Sequence, residues 1–336
     1  MTAGRIPVGA PVSRRRAILA LGSVLALRGS AAWAQSSSMP RVAYLSGASR
    51  ADTAETFESF LEGLRERAYV QGRTFVLDAR WGDYSPERVL KLLGEIAALQ
   101  PAVIVTHGGA VRPVSRLSPP LPVVYMQSGD PVEAGFADSY ARPGRNSTGV
   151  SLLALDLIAK RMEILGQIVP KARRVAFLAN PEHPGEQREL AASRAAAEQL
   201  RIEVSYHQAR NPAELDTAMG AVAAARPDAA MVFPDTLMLG QRQALAAFFI
   251  KQRIPSATGW ASFAEGGHLF SYGPNVPAAW RRLAAFVDRI LRGARPGDLP
   301  IELPSVIELV LNRRTATAMN LVLSPALLLR ADRVID

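Results

Sequence analysis

The sequence contains no cysteine and only four histidines. Without cysteine, the protein has no disulfide framework, no thiolate nucleophile, no cysteine metal ligand and no cysteine that carries a lipid. Motifs for zinc proteases, serine hydrolases and nucleotide phosphates are also absent. The sequence therefore predicts a protein that is not an enzyme and uses no metal or cofactor. The alternative is a catalytic triad assembled from distant positions, and the isolated histidines are His107, His183, His207 and His268.

Outside the N-terminal segment the sequence has little net positive charge. The net charge is +9, but five of the 39 lysines and arginines lie in residues 1–34, which contain no acidic residue. The remaining 34 basic and 30 acidic residues are dispersed, without a basic stripe that has aromatic neighbours. We therefore expect no nucleic-acid partner.

Long hydrophobic runs are missing as well. The apolar run at residues 17–27 has eleven residues, whereas a membrane span needs about 20. It follows arginines 14–16 and precedes AWA at residues 32–34, which is a small-x-small cleavage pattern. The sequence therefore predicts a signal peptide over residues 1–34, cleaved near Ala34, and a periplasmic protein. The arginines suit the twin-arginine route, and the general secretory route also accepts such leaders.

A short sequence pattern occurs twice in the mature chain. RVAYLSG at residues 41–47 is matched by RVAFLAN at residues 174–180, and PAVIV at residues 101–105 by PDAAMV at residues 227–232. In each copy, short apolar segments alternate with helical patterns, which is typical of a parallel sheet covered by helices on both faces. The sequence therefore predicts an α/β fold with two doubly wound, Rossmann-like lobes.

Three segments are predicted to cross between the lobes and form a hinge. They are the turn-rich ARPGRNSTGV at residues 141–150, GPN at residues 273–275, and residues 296–304. The predicted N-terminal lobe is residues 39–147 plus 274–302, and the predicted C-terminal lobe is residues 148–273 plus 303–336.

Apolar spacing also predicts two helices whose starts can be capped by acidic or hydroxyl side chains. One covers residues 57–68 and would be capped by Asp52 or Thr53; the other covers residues 237–251 and would be capped by Asp235.

Polar and aromatic residues follow the predicted strands. In open α/β sheets, ligands bind beyond the carboxyl ends of the strands, so two facing lobes create a cleft lined from both sides. Hydroxyl, amide and carboxylate groups with one indole wall suit an amino-acid-like ligand. The predicted ligand-binding residues are Ser46, Gly47, Thr106, Gln127, Ser128, Asp130, Asn180, Asp235 and Trp260.

Three of these residues have an equally good structural interpretation. Asp130 and Asp235 stand where an aspartate commonly caps a helix. Asn180 precedes a proline, and this pair is typical of a turn.

Four long motifs of the mature chain are distinctive: SGDPVEAGFADSYARPGRNSTGVSLL (residues 128–153), KRMEILGQIVPKARRVAFLANPEHP (160–184), IPSATGWASFAEGGHLFSYGPN (254–275) and ELVLNRRTATAMNLVLSPALLLRADRVID (308–336). They resemble a known family, the substrate-binding proteins of ABC transporters related to tryptophan and tyrosine uptake. The resemblance covers nearly the whole mature chain. It implies a type I periplasmic-binding fold with three hinge crossings, which closes over a small molecule and presents it to a permease.

The resemblance also implies ligand contacts at strand ends, which correspond here to Ser46, Gln127, Asp130, Asn180 and Asp235. Two loops depart from the family pattern, THGGAV where TGTPA is usual and FPDTLM in the second lobe. The ligand class therefore stays open, with an amino acid or an aromatic compound among the candidates.

The implied partners are ABC permease and ATPase subunits, and we expect a monomer. The alternatives are a sensory module for a chemoreceptor or sensor kinase, and an exported enzyme.

Overall fold

The computed structural model describes residues 1–2, 4, 39–153, 155–183 and 185–336. The predicted cleavage site and almost all of the predicted signal peptide lie outside the described residues. Among the described helices, none combines the length and the apolar character that a membrane span requires. Residues Pro40–Asp336 form one unit by their contacts, and within it the chain builds two lobes around two sheets.

The first lobe is built on a sheet of five parallel strands in the order β2, β1, β3, β4, β5. These strands are β1 (Arg41–Ser46), β2 (Val76–Trp81), β3 (Val103–His107), β4 (Val123–Gln127) and β5 (Ser147–Ser151). The first three helices of the described chain belong to this lobe and are α1 (Ala54–Arg65), α2 (Pro86–Ala98) and α3 (Val111–Ser115).

The second lobe contains seven strands in the order β12, β11, β10, β9, β8, β6, β7. They are β6 (Arg174–Ala179), β7 (Glu203–Gln208), β8 (Ala229–Val232), β9 (Ser256–Thr258), β10 (Phe270–Pro274), β11 (Ile307–Asn312) and β12 (Arg333–Ile335). The remaining helices are α4 (Asp156–Ile168), α5 (Glu186–Leu200), α6 (Pro212–Ala225), α7 (Thr236–Gly240), α8 (Arg242–Gln252), α9 (Ala261–Glu265), α10 (Val276–Leu291), α11 (Arg313–Ala318) and α12 (Pro325–Arg330).

The two copies of the sequence pattern occupy the same place in the two sheets. β1 lies between β2 and β3, and β6 lies between β7 and β8, with parallel pairing throughout. The α/β fold with two parallel-stranded lobes is confirmed. Two strands of the second lobe depart from it, because β11 is antiparallel to β10 and β12 is parallel to β11. β10 ends where the chain leaves the second lobe and β11 begins where it returns, so β10 and β11 run in opposite directions.

The long helix α10 follows a strand of the second lobe but packs in the first. Trp280 and Leu283 of α10 are buried in one cluster with Phe60 and Leu64 of α1. Gly63 permits this packing, since a Cβ there would lie 2.3 Å from the carbonyl oxygen of Arg281. Each such buried apolar side chain contributes about 1.5–3 kcal/mol, so the contact holds α10 to the first lobe.

The chain passes between the lobes three times, and the predicted position of the first crossing is wrong. Residues Ser147–Ser151 form β5 and pair with β4, so the crossing follows β5, and the predicted boundary between residues 147 and 148 falls inside this strand. Glycine marked a turn in the sequence, yet Gly149 serves close strand packing: a Cβ there would lie 1.9 Å from the carbonyl oxygen of Tyr125. The other crossings run from β10 to α10 and from Glu302, which bridges to Val150, to β11.

The single helix predicted for residues 237–251 is also wrong. The segment forms two helices, α7 and α8, and Gln241 between them leaves the helical conformation with φ −105° and ψ 7°. Arg242, the first residue of α8 after this break, lines the cleft between the lobes.

Candidate ligand-binding cleft

The strand ends of the two lobes enclose a cleft with two compartments. The hinge-side compartment, with a volume of about 540 Å³, reaches the crossings at Leu152 and Asn275. The distal compartment, about 720 Å³, lies on the other side of the strand ends. They share a partition made by Gly108, Gln127, Ser128 and Thr236. Both volumes fall in the range of small-molecule sites.

The hinge-side compartment has aromatic walls from both lobes. Trp280 comes from the first lobe, and its ring lies edge-on to the His107 imidazole at a centroid distance of 5.0 Å. Trp260 comes from the second lobe and packs against buried apolar clusters of both lobes. Met126 and Leu152 add apolar surface. The compartment therefore offers an apolar slot that exists only where the lobes meet.

His107 behaves as a neutral aromatic residue in this wall. Its Nε2 lies 3.1 Å from the Tyr44 hydroxyl oxygen. Burial lowers the pKa of His107 to about 4, because a charged imidazolium is poorly solvated there. At neutral pH the imidazole therefore supplies a polar ring without a charge.

An ion pair joins the lobes beside this slot. Arg242 in α8 contacts the Asp52 carboxylate at 2.7 Å, and Asp52 also accepts hydrogen bonds from the hydroxyls of Ser49 at 2.6 Å and Tyr84 at 2.9 Å. Burial opposes ionisation, but Ser49, Arg242 and Tyr84 together lower the pKa of Asp52. Asp52 thus stays charged and does not cap α1.

Thr53 occupies the N-cap position directly before α1, but its side chain does not cap the helix. Its hydroxyl instead donates to the carbonyl of Ser49 and accepts from the indole N–H of Trp81. The predicted capping of α1 by Asp52 or Thr53 is therefore wrong, because both side chains bind elsewhere.

A second contact between the lobes lies at the distal compartment. The Nε2 of His183 lies 2.7 Å from the Ser128 hydroxyl oxygen, and its Nδ1 lies 3.6 Å from the Glu189 carboxylate. Burial by itself would lower the pKa of His183, but Glu189, with smaller contributions from Asp235 and Glu186, raises it. A positively charged imidazolium is favoured here more than in water.

Asp235 and Asn180, which follow β8 and β6, are joined by a hydrogen bond between their side chains. The Asn180 amide donates to Asp235 at 2.6 Å, and the other Asp235 oxygen accepts the backbone N–H of Met238 at 2.7 Å. Asp235 therefore caps α7. Burial raises the pKa of Asp235, opposed by the hydrogen bond from Met238.

Asp130 has a comparable structural task. One oxygen accepts the backbone N–H groups of Val132 at 2.8 Å and Glu133 at 3.2 Å, and the other pairs with Arg188 on α5 of the second lobe. Asp130 thus caps a turn in the first lobe and contacts the second, but it does not line either compartment.

The predicted site residues separate into two groups. Ser46, Thr106 and Asp130 lie outside both linings: Ser46 and Thr106 are fully buried, and the Ser46 hydroxyl closes a turn with the backbone of Ala48. The residues that the structure brings together on the cleft are Gly47, Gln127, Ser128, Asn180, Asp235 and Trp260.

The predicted site residues omit three cleft residues that form an ion pair or a hydrogen bond between the lobes: Asp52, Arg242 and His183. They also omit His107, a cleft residue whose hydrogen bond stays within the first lobe. Two of the four had a usable signal, since His107 ends a strand and His183 follows Asn180 by three residues. Arg242 had none, because it starts a helix and its partner belongs to the other lobe.

Two facing α/β lobes, three crossings and an enclosed cleft between strand ends define a solute-binding protein with the type I periplasmic-binding fold. Residues 42–335 match the profile of the family described as ABC transporter substrate binding protein. The chain belongs to this family.

Relatives with known names share the fold at low identity. A tyrosine-binding protein from Clostridioides difficile (strain R20291) is 18% identical over 266 residues, which is 79% of this chain and 76% of that protein. The ABC domain of a Streptococcus pneumonia protein in complex with L-Trp aligns with a TM-score of 0.80 and 19% identity, covering 89% of this chain and 100% of that one. A conserved domain protein from Vibrio cholerae o1 biovar eltor aligns with a TM-score of 0.80 and 21% identity, covering 88% and 100%.

Membership defines the broad activity. Proteins of this family bind small-molecule solutes and work with permease and ATPase components of a transporter. The family is one of binding proteins rather than enzymes.

Proposed function

We propose that the protein captures an aromatic amino acid in the hinge-side compartment and delivers it to an ABC permease. The observation that carries this proposal is the indole of Trp260, which lines the compartment and touches the apolar clusters of both lobes. A flat aromatic side chain fits beside Trp260 and Trp280, since offset or edge-on ring contacts are worth about 0.5–1.5 kcal/mol beyond burial.

The relatives support the aromatic class. One is named a tyrosine-binding protein and another holds L-Trp. In this chain, the charged and amide groups that surround the slot, among them Asp52, Arg242 and Gln127, suit the two charged ends of an amino acid.

Hinge closure is the mechanism we propose. The ion pair of Asp52 with Arg242 and the contact of Ser128 with His183 form only when the lobes approach. A ligand that touches both lobes adds to these contacts and shifts the population towards the closed state. The closed form then engages the permease as a monomer, after export that the N-terminal sequence directs.

Titration calorimetry on the mature protein, unfolded and refolded to remove bound solute, tests the proposal. L-tryptophan, L-tyrosine and L-phenylalanine should bind, and L-leucine and arabinose should bind much more weakly. A thermal shift provides a second readout: ligand at 100 times its dissociation constant stabilises the native state by about 2.7 kcal/mol, which is a shift of roughly 4 °C for about 300 residues that unfold together. Preference for leucine or arabinose would reject the aromatic class.

A further inference from the structure

The hinge-side compartment carries an excess of negative charge. Its acidic lining residues are Asp52, Glu55, Glu265, Glu308 and Asp332, against only two basic ones, Arg242 and Arg333. Both arginines are already paired, Arg242 with Asp52 and Arg333 with Glu265. The compartment therefore favours a solute with a positively charged group over a purely anionic one.

The carboxylates differ in how far the protein itself satisfies them. Asp332 accepts the backbone N–H of Leu309 at 2.7 Å, and Glu55 is exposed to solvent. Glu308 is partly buried. The Asn275 side chain and the charge of Arg333 act on its carboxylate, but Arg333 pairs with Glu265, and among the described residues no lysine, arginine or histidine forms an ion pair with Glu308 itself. A half-buried carboxylate without a counter-ion is costly, and an ammonium from the solute would remove that cost.

Glu308 occupies a special place in the fold. It lies on β11 opposite Gly273 of β10, directly after the third crossing, while Asn275 lies in the second crossing and lines the same compartment. The backbone N–H of Asn275 donates to the carbonyl of Val306 at 2.9 Å, which ties the two crossings together. The carboxylate of Glu308 thus stands where the hinge itself forms the wall of the cleft.

We infer that Glu308 is a specificity-determining residue that binds the ammonium group of the solute, while the aromatic ring lies between Trp260 and Trp280. This inference rests on the proposed function. Because Glu308 directly follows a hinge crossing, an ammonium bound there also lies next to the segment that bends during closure. Aromatic acids that lack an amine are excluded by the same charge.

The local electrostatics agree with this role. Burial raises the pKa of Glu308, while the Asn275 side chain and the charge of Arg333 act against that rise. A bound ammonium would favour the ionised carboxylate further. Affinity for an amine-bearing solute should therefore improve as the pH rises through the pKa of Glu308 in the free protein.

Calorimetry with three indole compounds at pH 7 tests the inference on the wild-type protein. L-tryptophan has both charged groups, tryptamine keeps the ammonium, and indole-3-propionate keeps the carboxylate. We expect tryptamine to bind more tightly than indole-3-propionate, and L-tryptophan to bind about 10- to 100-fold more tightly than indole-3-propionate, as for a hydrogen-bonded ion pair.

The variant Glu308→Gln provides the second arm. It should weaken the binding of L-tryptophan by about 10- to 100-fold. It should bind indole-3-propionate at least as tightly as the wild type does, because the repelling charge is gone, while the affinity of Glu308→Asp for L-tryptophan should fall between. The matched control is Glu203→Gln, which makes the same charge change at an exposed position of the same sheet and should bind like the wild type. If Glu308→Gln does not melt cooperatively, the variant is misfolded, and the affinities of the wild-type protein for the three indole compounds alone test the inference.

The outcomes separate the two proposals. If the wild type binds L-tryptophan and indole-3-propionate equally, or Glu308→Gln keeps wild-type affinity for L-tryptophan, the ammonium role of Glu308 is overturned and the aromatic function stands. If the wild type binds none of the indole compounds or aromatic amino acids, both proposals fall.

Discussion

The Nε2 of His183 in the second lobe lies 2.7 Å from the hydroxyl oxygen of Ser128 in the first. The imidazole is backed by the Glu189 carboxylate, 3.6 Å from Nδ1. His183 therefore joins the contact between the lobes to the buried Glu189 of its own lobe. The protonation state of His183 affects its contact with Ser128 and its contact with Glu189.

Stability should depend on pH through His183. Because Glu189 and its acidic neighbours raise the pKa of His183 despite its burial, the folded protein binds this proton more tightly than the unfolded chain. That contribution is complete below about pH 6.5, the unfolded value, and is lost as the pH rises through the folded pKa. In urea titrations, the stability advantage of the wild type over His183→Gln should shrink above pH 6.5.

His207 provides the matched control for this prediction. Burial lowers the pKa of His207, so its contribution has the opposite sign and grows as the pH rises towards about 6.5. In the His207→Gln variant the contribution of His183 is intact, so the stability of this variant should still decline above pH 6.5. A wild-type advantage over His183→Gln that is independent of pH would contradict the role assigned to His183.

Loss of the ion pair between the lobes should open the cleft. Asp52 and Arg242 are about one-fifth exposed, at 22% and 19%, so we expect a coupling of about 1 kcal/mol, near the upper end for exposed pairs. Arg242→Met should increase the radius of gyration measured by small-angle scattering, and a double-mutant cycle with Asp52→Asn should return the coupling energy. Arg292→Met is the control, because Arg292 directly follows α10 and pairs with Asp288 of that same helix; an equal expansion there would argue against a specific effect.

Trp260 should contribute to ligand affinity through contact area rather than charge. Trp260→Ala should weaken binding of L-tryptophan by at least about tenfold, while Trp260→Phe should keep part of the affinity, since aromatic contacts add about 0.5–1.5 kcal/mol beyond burial. Trp81→Phe is the control, because Trp81 packs against Tyr44 and Phe57 and lines neither compartment. Calorimetry that shows no loss for Trp260→Ala would place the ligand elsewhere in the cleft.

Asp235 should prove important for stability through its helix cap. Asp235→Ala removes the acceptor of the Met238 N–H and the partner of Asn180, and we expect a loss of about 1 kcal/mol of unfolding free energy. Asp235→Asn keeps a capping oxygen and should lose less. The ligand role predicted for Asp235 is tested by the same variant: an Asn variant that is stable but binds poorly would support direct contact, and one with normal affinity would leave only the cap.

The sequence predicted the lobes better than it predicted their junctions. The duplicated strands β1 and β6 were recognisable because a buried parallel strand is a local run of apolar residues. The first crossing was misplaced because a glycine-rich segment resembles a turn, whereas Gly149 in fact accommodates the backbone at Tyr125. A turn glycine and a glycine in a packed strand differ only in the presence of a neighbouring strand, and the local sequence pattern gives no information on that strand.

The candidate site was likewise predicted only in part from the sequence. Position at the end of a strand pointed to Gln127, Ser128 and Trp260, which line the cleft, since strand ends share one edge of a sheet. It could not separate them from Ser46 and Thr106, which are fully buried. Successive side chains of a strand point to opposite faces, and only the packing of the sheet shows which face is open to the cleft.

The amino-acid sequence by itself determined the α/β class, the duplication, the binding-protein family and most strand and helix positions, because these follow from periodicity and long contiguous motifs. The tertiary structure alone decided which charges meet across the cleft and where the hinge crosses. Asp52 in the first lobe meets Arg242 in the second through the folding of distant segments. Such a pairing depends on how the two lobes are placed relative to each other, and no local stretch of sequence contains that information.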